Sequence, residues 1–429
     1  MTGSARPARA VLAGAGGALA LKAAGACAAF VMFAVTARTL DAEAFGRLGI
    51  WFNAMSFLAV VALCGQETLI LKVWATGTGA CRHSLMRFAL SNTIAAALGL
   101  FAVALTIALA IGHAPRPSLA AAGGAFLLAQ AVLHLTSHAS RVALGLRAAE
   151  GHREVAWRLA VATAAVVCLA GGRPLLPEAF LALAALCMIG STAWQWRRLA
   201  FRLRDRAGLA PADRRGWRRQ MGGMWLAAIL DAGNQYLDVV LIGLLLDPSA
   251  AAGYFAAARI AAVFPILAGG LANYAAAEIA VLFPAGQRQR LQSLLARLQS
   301  LAAVGAVAGL VIVAVWGAPL LAIFGDGYRD FAPVLHVLAL GAAVSLLAGP
   351  APHLLLLCGL ERAYPLAGIA ALVLRMVLVL VLSSTFGAVG AAAAAAFAAS
   401  VQAVVLNRLC RRRLGIDPSV VALLRRANW

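Results

Sequence analysis

The chain has 429 residues, of which 63% are hydrophobic and only 12% are charged. Soluble domains average about 25% charged residues, so an ordinary soluble protein is excluded. Its formal net charge is +20, but the basic residues scatter over loop ends and form no nucleic-acid-binding motif.

Apolar runs of about 20 residues recur along the whole chain, and each can cross the bilayer as a helix. They do not alternate between polar and apolar residues as barrel strands do. The sequence therefore predicts an all-α polytopic membrane protein. The first run, 11–37, is too long for a signal peptide, and we interpret it as an uncleaved helix. Hydropathy and turn signals predict twelve spans, near 11–37, 46–71, 84–112, 118–145, 155–171, 175–196, 221–246, 251–281, 295–324, 331–358, 364–385 and 387–407.

A basic segment, "RRLAFRLRDRAGLAPADRRGWRR", separates two sets of six spans. The predicted organisation is a six-helix bundle at 1–196, a basic cytoplasmic linker at 197–220, a second six-helix bundle at 221–407 and a basic tail at 408–429. "TLDAEAFGRLGIW" after span 1 and "LLDPSAAAGYFAA" after span 7 echo each other. Two such copies of equal orientation predict a pseudo-two-fold axis along the membrane normal, an arrangement typical of transporters.

The distribution of basic residues predicts the orientation. With the N-terminus inside, 28 of the 36 Lys and Arg residues fall in cytoplasmic segments, five fall outside and three lie within spans. This asymmetry predicts that both termini are cytoplasmic, in a bacterial inner membrane. The basic edge is also expected to contact anionic membrane lipids.

Span 7 carries a polar face. Asp231, Asn234, Gln235 and Asp238 are spaced 3, 4 and 7 residues apart, so they share one side of a helix. Such a face predicts a helix that lines a cavity. Asp231 is the better candidate for binding a coupling ion or a sugar hydroxyl. Asp238 lies at a depth similar to that of Arg259 on the next span, so a structural ion pair between them is the alternative.

Three cations lie within spans: Lys22, Arg259 and Arg375. Ionisable groups inside a membrane usually mark a substrate path, and these would attract an anion. Snorkelling or pairing with neighbours is the alternative. Candidate gate or coupling residues near the cytoplasmic ends of spans are Glu67, Asn273 and Glu278.

His134 and His138 form an i,i+4 pair without a visible third ligand, so no metal site is predicted. Together with Gln130, they are expected to hydrogen-bond between helices. Pro265 and the sequence "PAPH" at 350–353 are expected to bend spans 8 and 10. No pattern indicates a cofactor.

Three stretches carry a family resemblance: "ARTLDAEAFGRLGIW", "QYLDVVLIGLLLDPSAAAGYFAAARIAAV" and "PLLAIFGDGYRDFAPVLHVLALG", with "GAVGAAAAAAFA" opening the last span. In their order and spacing they resemble the polysaccharide-biosynthesis (Wzx-type) flippases of the multidrug/oligosaccharidyl-lipid/polysaccharide (MOP) superfamily. The resemblance implies a MATE/MOP-like fold and a flippase for polyprenyl-diphosphate-linked oligosaccharide, which works with polysaccharide polymerase and chain-length proteins. The related lipid II flippases usually have two further spans, which are not found here.

Two other functions remain open at the level of the sequence. A drug/cation antiporter would favour buried acids with few bases, whereas this chain has bases in three spans. An integral-membrane polymerase or glycosyltransferase would need a large outer loop or a carboxylate cluster, and neither is visible. We therefore expect a transporter rather than an enzyme.

Overall fold

A computed structural model describes residues 8–76, 79–110, 112, 114–202, 214–360 and 363–422. All regular elements in these ranges are helical. The centre of the predicted basic linker, 203–213, and the two chain ends, 1–7 and 423–429, lie outside the described residues.

The chain divides into two compact units. The first unit is formed by Leu21–Gly243, and the second unit is formed by Met1–Ala20 with Leu244–Trp429. The boundaries between the units therefore fall at residues 20–21 and 243–244. The predicted division into two bundles at the basic linker stays a prediction. The helices up to α9 are α1 Ala8–Thr39, α2 Ala42–Ala62, α3 Gln66–Thr76, α4 Gly79–Ala110, α5 Pro117–Ala143, α6 Leu146–Glu150, a π-helical turn Gly151–Ala156, α7 Trp157–Ala170, α8 Pro177–Arg202 and α9 Arg214–Leu245.

The remaining helices belong to the other unit. They are α10 Pro248–Ala261, α11 Val263–Leu282, α12 Arg288–Ala322, a 3₁₀ turn Asp326–Phe331, α13 Ala332–Ala348, α14 Ala351–Leu357, α15 Ala363–Leu409 and a π-helical turn Cys410–Leu414.

The number of spans agrees with the sequence. Ten helical stretches of the described residues are long and apolar enough to cross a membrane. One of them contains α15, which Gly387, at φ 57° and ψ −142°, divides into the two predicted last spans. The 14-residue α7 is shorter than those ten and corresponds to predicted span 5. About twelve membrane helices are therefore present, and the predicted fold class is confirmed.

Three predicted spans are interrupted. Span 2 was expected to continue to residue 71, but α2 ends at Ala62 and a tight turn follows. Span 8 breaks at Ala262, where the ring of Pro265 would clash with the preceding turn of a continuous helix. Span 10 ends at Gly349, whose φ of 77° stops the helix before "PAPH". The two bends predicted from proline are confirmed, and the extent predicted for span 2 is wrong.

An aromatic cluster joins four helices of the first unit. The ring centroid of Phe33 on α1 lies 5.0 Å from that of Phe52 on α2 and 5.8 Å from that of Phe180 on α8. Phe52 also lies 5.3 Å from Phe126 on α5. Aromatic pairs at such separations add about 0.5–1.5 kcal/mol beyond the burial of their area. The cluster therefore fixes α1, α2, α5 and α8 against one another.

The sequence echo between the halves has a structural basis. Asp41 caps α2 by accepting a hydrogen bond from the amide of Ala44 at 2.6 Å, and Asp247 caps α10 by accepting one from Ala250 at 2.8 Å. Both caps have an extended ψ, of 166° and 164°. The second helix of each half thus begins with the same device, as expected of an internal repeat.

We expect Asp41→Ala and Asp247→Ala each to lower the free energy of unfolding by about 1 kcal/mol, because each leaves an N-terminal amide of its helix without an acceptor. Thermal unfolding of the detergent-solubilised protein measures the change. The Asp→Asn variants are the matched controls, since asparagine caps almost equally well. Equal melting temperatures for the alanine and asparagine variants would contradict the assignment.

The segment 415–422, here called the C-terminal strap, packs onto the second unit. The side-chain amide of Gln292 on α12 donates to the carbonyl of Asp417 at 2.8 Å and accepts from its backbone amide at 3.3 Å. The amide of Val420 donates to the carbonyl of Leu347 on α13 at 3.0 Å. Ile416 is only 1% exposed. The strap therefore covers one end of α12 and α13.

Candidate functional site

The predicted polar face lies on one continuous helix, α9. Asp231 and Gln235 are exposed, Asn234 is half-buried and Asp238 is 7% exposed. These residues lie within Met224–Leu245, which is apolar enough to span a membrane. An acid facing hydrocarbon there would cost about 2.5–3.5 kcal/mol on insertion scales. The lining of a cavity by this face stays a prediction.

The three predicted cations are divided between the units. Lys22 is exposed near the middle of α1, in the unit that also holds the polar face of α9. Arg259 and Arg375 are half-buried in the other unit, on α10 and α15. The guanidinium carbon of Arg259 lies 4.6 Å from the centroid of the Phe255 ring, one helical turn earlier. This contact supports the guanidinium by a cation–π interaction.

The pairing of Asp238 with Arg259 stays a prediction, because the two residues belong to different units. If the pair forms, Asp238→Asn and Arg259→Gln should each reduce the amount of folded protein, since an uncompensated buried charge costs about 3–5 kcal/mol. The double variant should recover part of that loss. Fluorescence-detected size-exclusion chromatography of membrane extracts measures the folded fraction.

Asp231→Asn is the matched control on the same helix face, and it should fold normally while transport or its pH dependence changes. Additive losses in the double variant would contradict the ion pair. A silent Asp231→Asn variant beside a folded but inactive Asp238→Asn variant would reverse the two roles.

The candidate gate residues occupy two places. Asn273 is exposed and Glu278 is half-buried, both on α11. Glu67 is the second residue of α3 and is 9% exposed. The carboxyl of Glu67 is more enclosed than expected for a residue at the end of a span. A gating or coupling role for these residues stays a prediction.

A charged network that was not predicted from the sequence surrounds the π-helical turn. A guanidinium nitrogen of Arg153 lies 2.7 Å from the carboxylate of Glu150 and 3.1 Å from that of Glu154. Arg158 lies 2.7 Å from Glu154 and donates to the carbonyl of Gly25 on α1 at 3.2 Å. Their spacing of three and four residues was the available signal. The network ties α1 to the start of α7.

Glu154 is held ionised by this network. Burial acts to raise its pKa, but the guanidinium groups of Arg158 and Arg153 outweigh that effect and lower the pKa to about 2. A Cβ on Gly25 would lie only 2.9 Å from the Cβ of Glu154. The close approach of α1 therefore depends on a glycine three residues after the candidate cation Lys22.

Polar contacts inside the first unit follow the prediction in part. Ser56 on α2 donates to the side-chain carbonyl of Gln130 on α5 at 3.1 Å, so the helix-to-helix bond of Gln130 is confirmed. The Nδ1 of His138 instead lies 2.9 Å from the carbonyl oxygen of His134, within α5. For His138 the expected bond between helices is therefore wrong, because a turn of its own helix supplies the partner.

A further bond between helices came without prediction. The buried side chain of Gln195 on α8 accepts from Thr136 at 2.9 Å and donates to Ser137 at 3.1 Å. Both hydroxyl groups lie on α5, so this cluster fixes α8 against the central helix of the unit.

No family model matches the chain, and no curated protein matches it. Solved structures do. A multidrug-resistance MATE family transporter of the MOP superfamily, inward-facing, superposes with a TM-score of 0.69 at 12% identity, over 91% of this chain and 94% of the other. The lipid II flippase MurJ, in an inward closed conformation, gives a TM-score of 0.70 at 10% identity, over 90% and 86%.

The chain has the fold shared by MATE transporters and MurJ. A mutant of the Vibrio cholerae MATE transporter VcmN also superposes, with a TM-score of 0.61 at 10% identity, over 94% of this chain and 98% of the other. The MATE/MurJ fold confirms the predicted MATE/MOP-like architecture. Because one fold hosts proteins with different substrates, the substrate must be argued from the residues of this chain.

Proposed function

We propose that the chain is an alternating-access flippase that moves polyprenyl-diphosphate-linked oligosaccharide from the cytoplasmic to the outer leaflet of a bacterial inner membrane. The product would supply O-antigen, capsule or exopolysaccharide synthesis. Both termini would be cytoplasmic, and polysaccharide polymerase and chain-length proteins would act downstream.

The observation that carries this proposal is the presence of Lys22, Arg259 and Arg375 within membrane helices. A polyprenyl diphosphate carries its negative charge at the junction of sugar and lipid, and that junction must cross the low-dielectric interior. Coulomb attraction is several-fold stronger there than in water, so a few cations suffice to stabilise the diphosphate. The polar face of α9 offers hydrogen-bonding groups to sugar hydroxyls.

A drug/cation antiporter is the second candidate, and the two acids Asp231 and Asp238 on α9 favour it. Several superposing structures are MATE transporters, one of them described as a multidrug-resistance protein. Three bases within spans weigh against a cationic substrate, since like charges repel. A polymerase or glycosyltransferase receives no support from the structures that superpose.

The test uses the purified protein in proteoliposomes that contain a short polyprenyl diphosphate bearing a fluorescent disaccharide. A membrane-impermeant reductant added outside reaches only fluorophores in the outer leaflet. Flipping therefore changes the fraction of fluorophore that the reductant can reach. We expect the protein to accelerate the exchange between leaflets relative to protein-free liposomes. A polyprenol that carries the same sugar without the diphosphate should move more slowly. Absence of flipping together with proton- or sodium-driven efflux of an organic cation would favour the antiporter instead.

A further inference from the structure

The connection between α2 and α3 is a helix break with unusual backbone geometry. Cys64 has φ 52° and is the one residue other than glycine with positive φ in the described part of the chain. Gly65 follows with φ 75°. A non-glycine residue in the left-handed region costs of order 1 kcal/mol, and such strain persists only where surrounding structure enforces it. The break is therefore held in place by its neighbours.

Helix α9 provides that support. A Cβ on Gly65 would lie 2.7 Å from the carbonyl oxygen of Met221 and 2.9 Å from the backbone nitrogen of Trp225. The indole nitrogen of Trp225 donates to the carbonyl of Val61 at 2.9 Å, which occupies a carbonyl in the last turn of α2. The break is thus fixed to the helix that carries the polar face, which begins at Asp231, six residues after Trp225.

Two polar side chains at the start of α3 are enclosed, and three of their polar atoms have no hydrogen-bond partner. Gln66 is 0% exposed, and both its amide nitrogen and its amide oxygen lack a hydrogen-bond partner. Glu67 is 9% exposed, and its Oε2 also lacks one. Buried polar atoms are nearly always satisfied, so three such atoms on consecutive residues mark the start of α3 as a candidate functional site.

The surroundings of Glu67 are apolar. Helix α3 packs against α4 and α5, and the core there comprises Leu63, Leu69, Ile70, Trp74, Leu85, Met86, Phe88, Ala89, Leu135, Ala139, Leu199, Trp217 and Met221. Burial raises the pKa of the Glu67 carboxyl, while a hydrogen bond from its own backbone amide acts to lower it. The nearby thiol of Cys64 has a raised pKa, from burial first and then from the charge of Glu67.

Two basic side chains of the adjoining helices have partners of their own. Arg82 on α4 donates to the carbonyl of Trp74 at 3.1 Å, and Arg141 on α5 lies 3.9 Å from Glu150. Lys72 on α3 and Arg87 on α4 are exposed. The thiol of Cys64 is a titratable neighbour of Glu67, since the charge of Glu67 contributes to raising the pKa of that thiol.

We propose that the α2–α3 break is a proton-binding site, in which the carboxyl of Glu67 takes up a proton and releases it as part of the transport cycle. The coupling to transport rests on the proposed flippase or antiporter function, whereas the site itself does not. One carboxyl and one amide are too few oxygen ligands for Na⁺ or a divalent cation, and no group of three His, Cys, Asp or Glu residues in the described chain could hold a metal.

The site can act because its two protonation states favour different surroundings. The neutral carboxyl is compatible with the apolar core around α3. The carboxylate requires water or a polar partner, and the unpartnered amide of Gln66 stands next to it in the chain. Opening at the strained Cys64–Gly65 turn would admit that water. Protonation would therefore bias the position of α3 relative to α9, which carries the polar face.

The site is tested by carboxyl labelling of the purified full-length protein in detergent. A hydrophobic carbodiimide adds to a protonated carboxyl group and rearranges to a stable N-acylurea, which peptide mass spectrometry locates. We expect labelling of Glu67 to rise as the pH falls, with a midpoint above the value of about 4.3 for an exposed glutamate. The exposed Glu43 serves as the internal control. Equal midpoints for the two carboxyls, or protection of Glu67 by Na⁺ at constant pH, would overturn the proton assignment.

The role in transport is tested separately in proteoliposomes. Glu67→Gln should remove the dependence of the transport rate on pH between about 5 and 8, and Glu43→Gln should leave it unchanged. A pH profile of Glu67→Gln identical to the wild-type profile would overturn the coupling. Because labelling needs neither substrate nor variant, a failure of the flippase assay does not affect the test of the site.

Discussion

Replacing Arg375 with alanine is expected to lower the rate of lipid-linked oligosaccharide flipping at least about tenfold, with Lys22→Ala acting in the same direction. A charge-assisted hydrogen bond contributes about 1.5–3 kcal/mol, and 1.4 kcal/mol corresponds to a factor of ten. Arg375→Lys should keep more activity than Arg375→Ala, because the lysine retains the charge. The fluorescent disaccharide assay measures all three rates.

Arg47→Ala is the control for this series, since the Arg47 side chain is 40% exposed and pairs with the exposed Glu43 on its own helix. Its rate should equal that of the wild type. Membrane levels of every variant are compared by size-exclusion chromatography, so that misfolding is not mistaken for lost transport. Unchanged rates in both the Arg375→Ala and Lys22→Ala variants would remove these residues from the substrate path.

Glu154→Gln is expected to lower the free energy of unfolding by about 2–3 kcal/mol, because the substitution leaves Arg153 and Arg158 close together without their shared carboxylate. Removing one partner of a fully buried pair costs about 3–5 kcal/mol, and the 23% exposure of the Glu154 side chain reduces that figure. Glu43→Gln breaks an exposed i,i+4 pair and should cost less than about 1 kcal/mol. Equal losses for the two variants would contradict the assignment.

The same network predicts a pH dependence. Because the pKa of Glu154 is lowered in the folded state, its stabilisation is fully present above the unfolded value of about 4.3 and is lost as the pH falls towards 2. The melting temperature of the wild type should therefore fall more steeply between pH 4.5 and about 3 than that of Glu154→Gln. Parallel curves for the two proteins would show that Glu154 is not held ionised by its neighbours.

Much of the fold could be predicted from the sequence, because hydropathy and turn residues carry the information directly. The repeated Leu-Asp pattern at Asp41 and Asp247 is one example, because each aspartate caps the helix that follows it and capping depends on the local sequence. The end of α2 could not be predicted in this way. Leu63, Cys64 and Gly65 continue an apolar run, and the turn there depends on the approach of α9, some 155 residues later in the chain.

The candidate site was predictable where it depends on helical periodicity. The polar face of α9 follows from spacing alone, whereas the graded burial from Asp231 to Asp238 depends on tertiary packing. The network at Glu154 was missed because its arginines were assigned to a cytoplasmic loop by their charge. In the structure Arg158, which follows the π-helical turn, donates to the carbonyl of Gly25 on α1.

The single-residue turn at Gly387 divides α15 into two helical segments that share this residue as a hinge. Consecutive Cα atoms are about 3.8 Å apart, so the two spans cannot separate at that end and can only swing about it. Arg375 lies twelve residues before Gly387, which is about 18 Å along its helical segment at 1.5 Å per residue. A swing of about 10° therefore displaces the backbone at Arg375 by about 3 Å, roughly the length of a hydrogen bond.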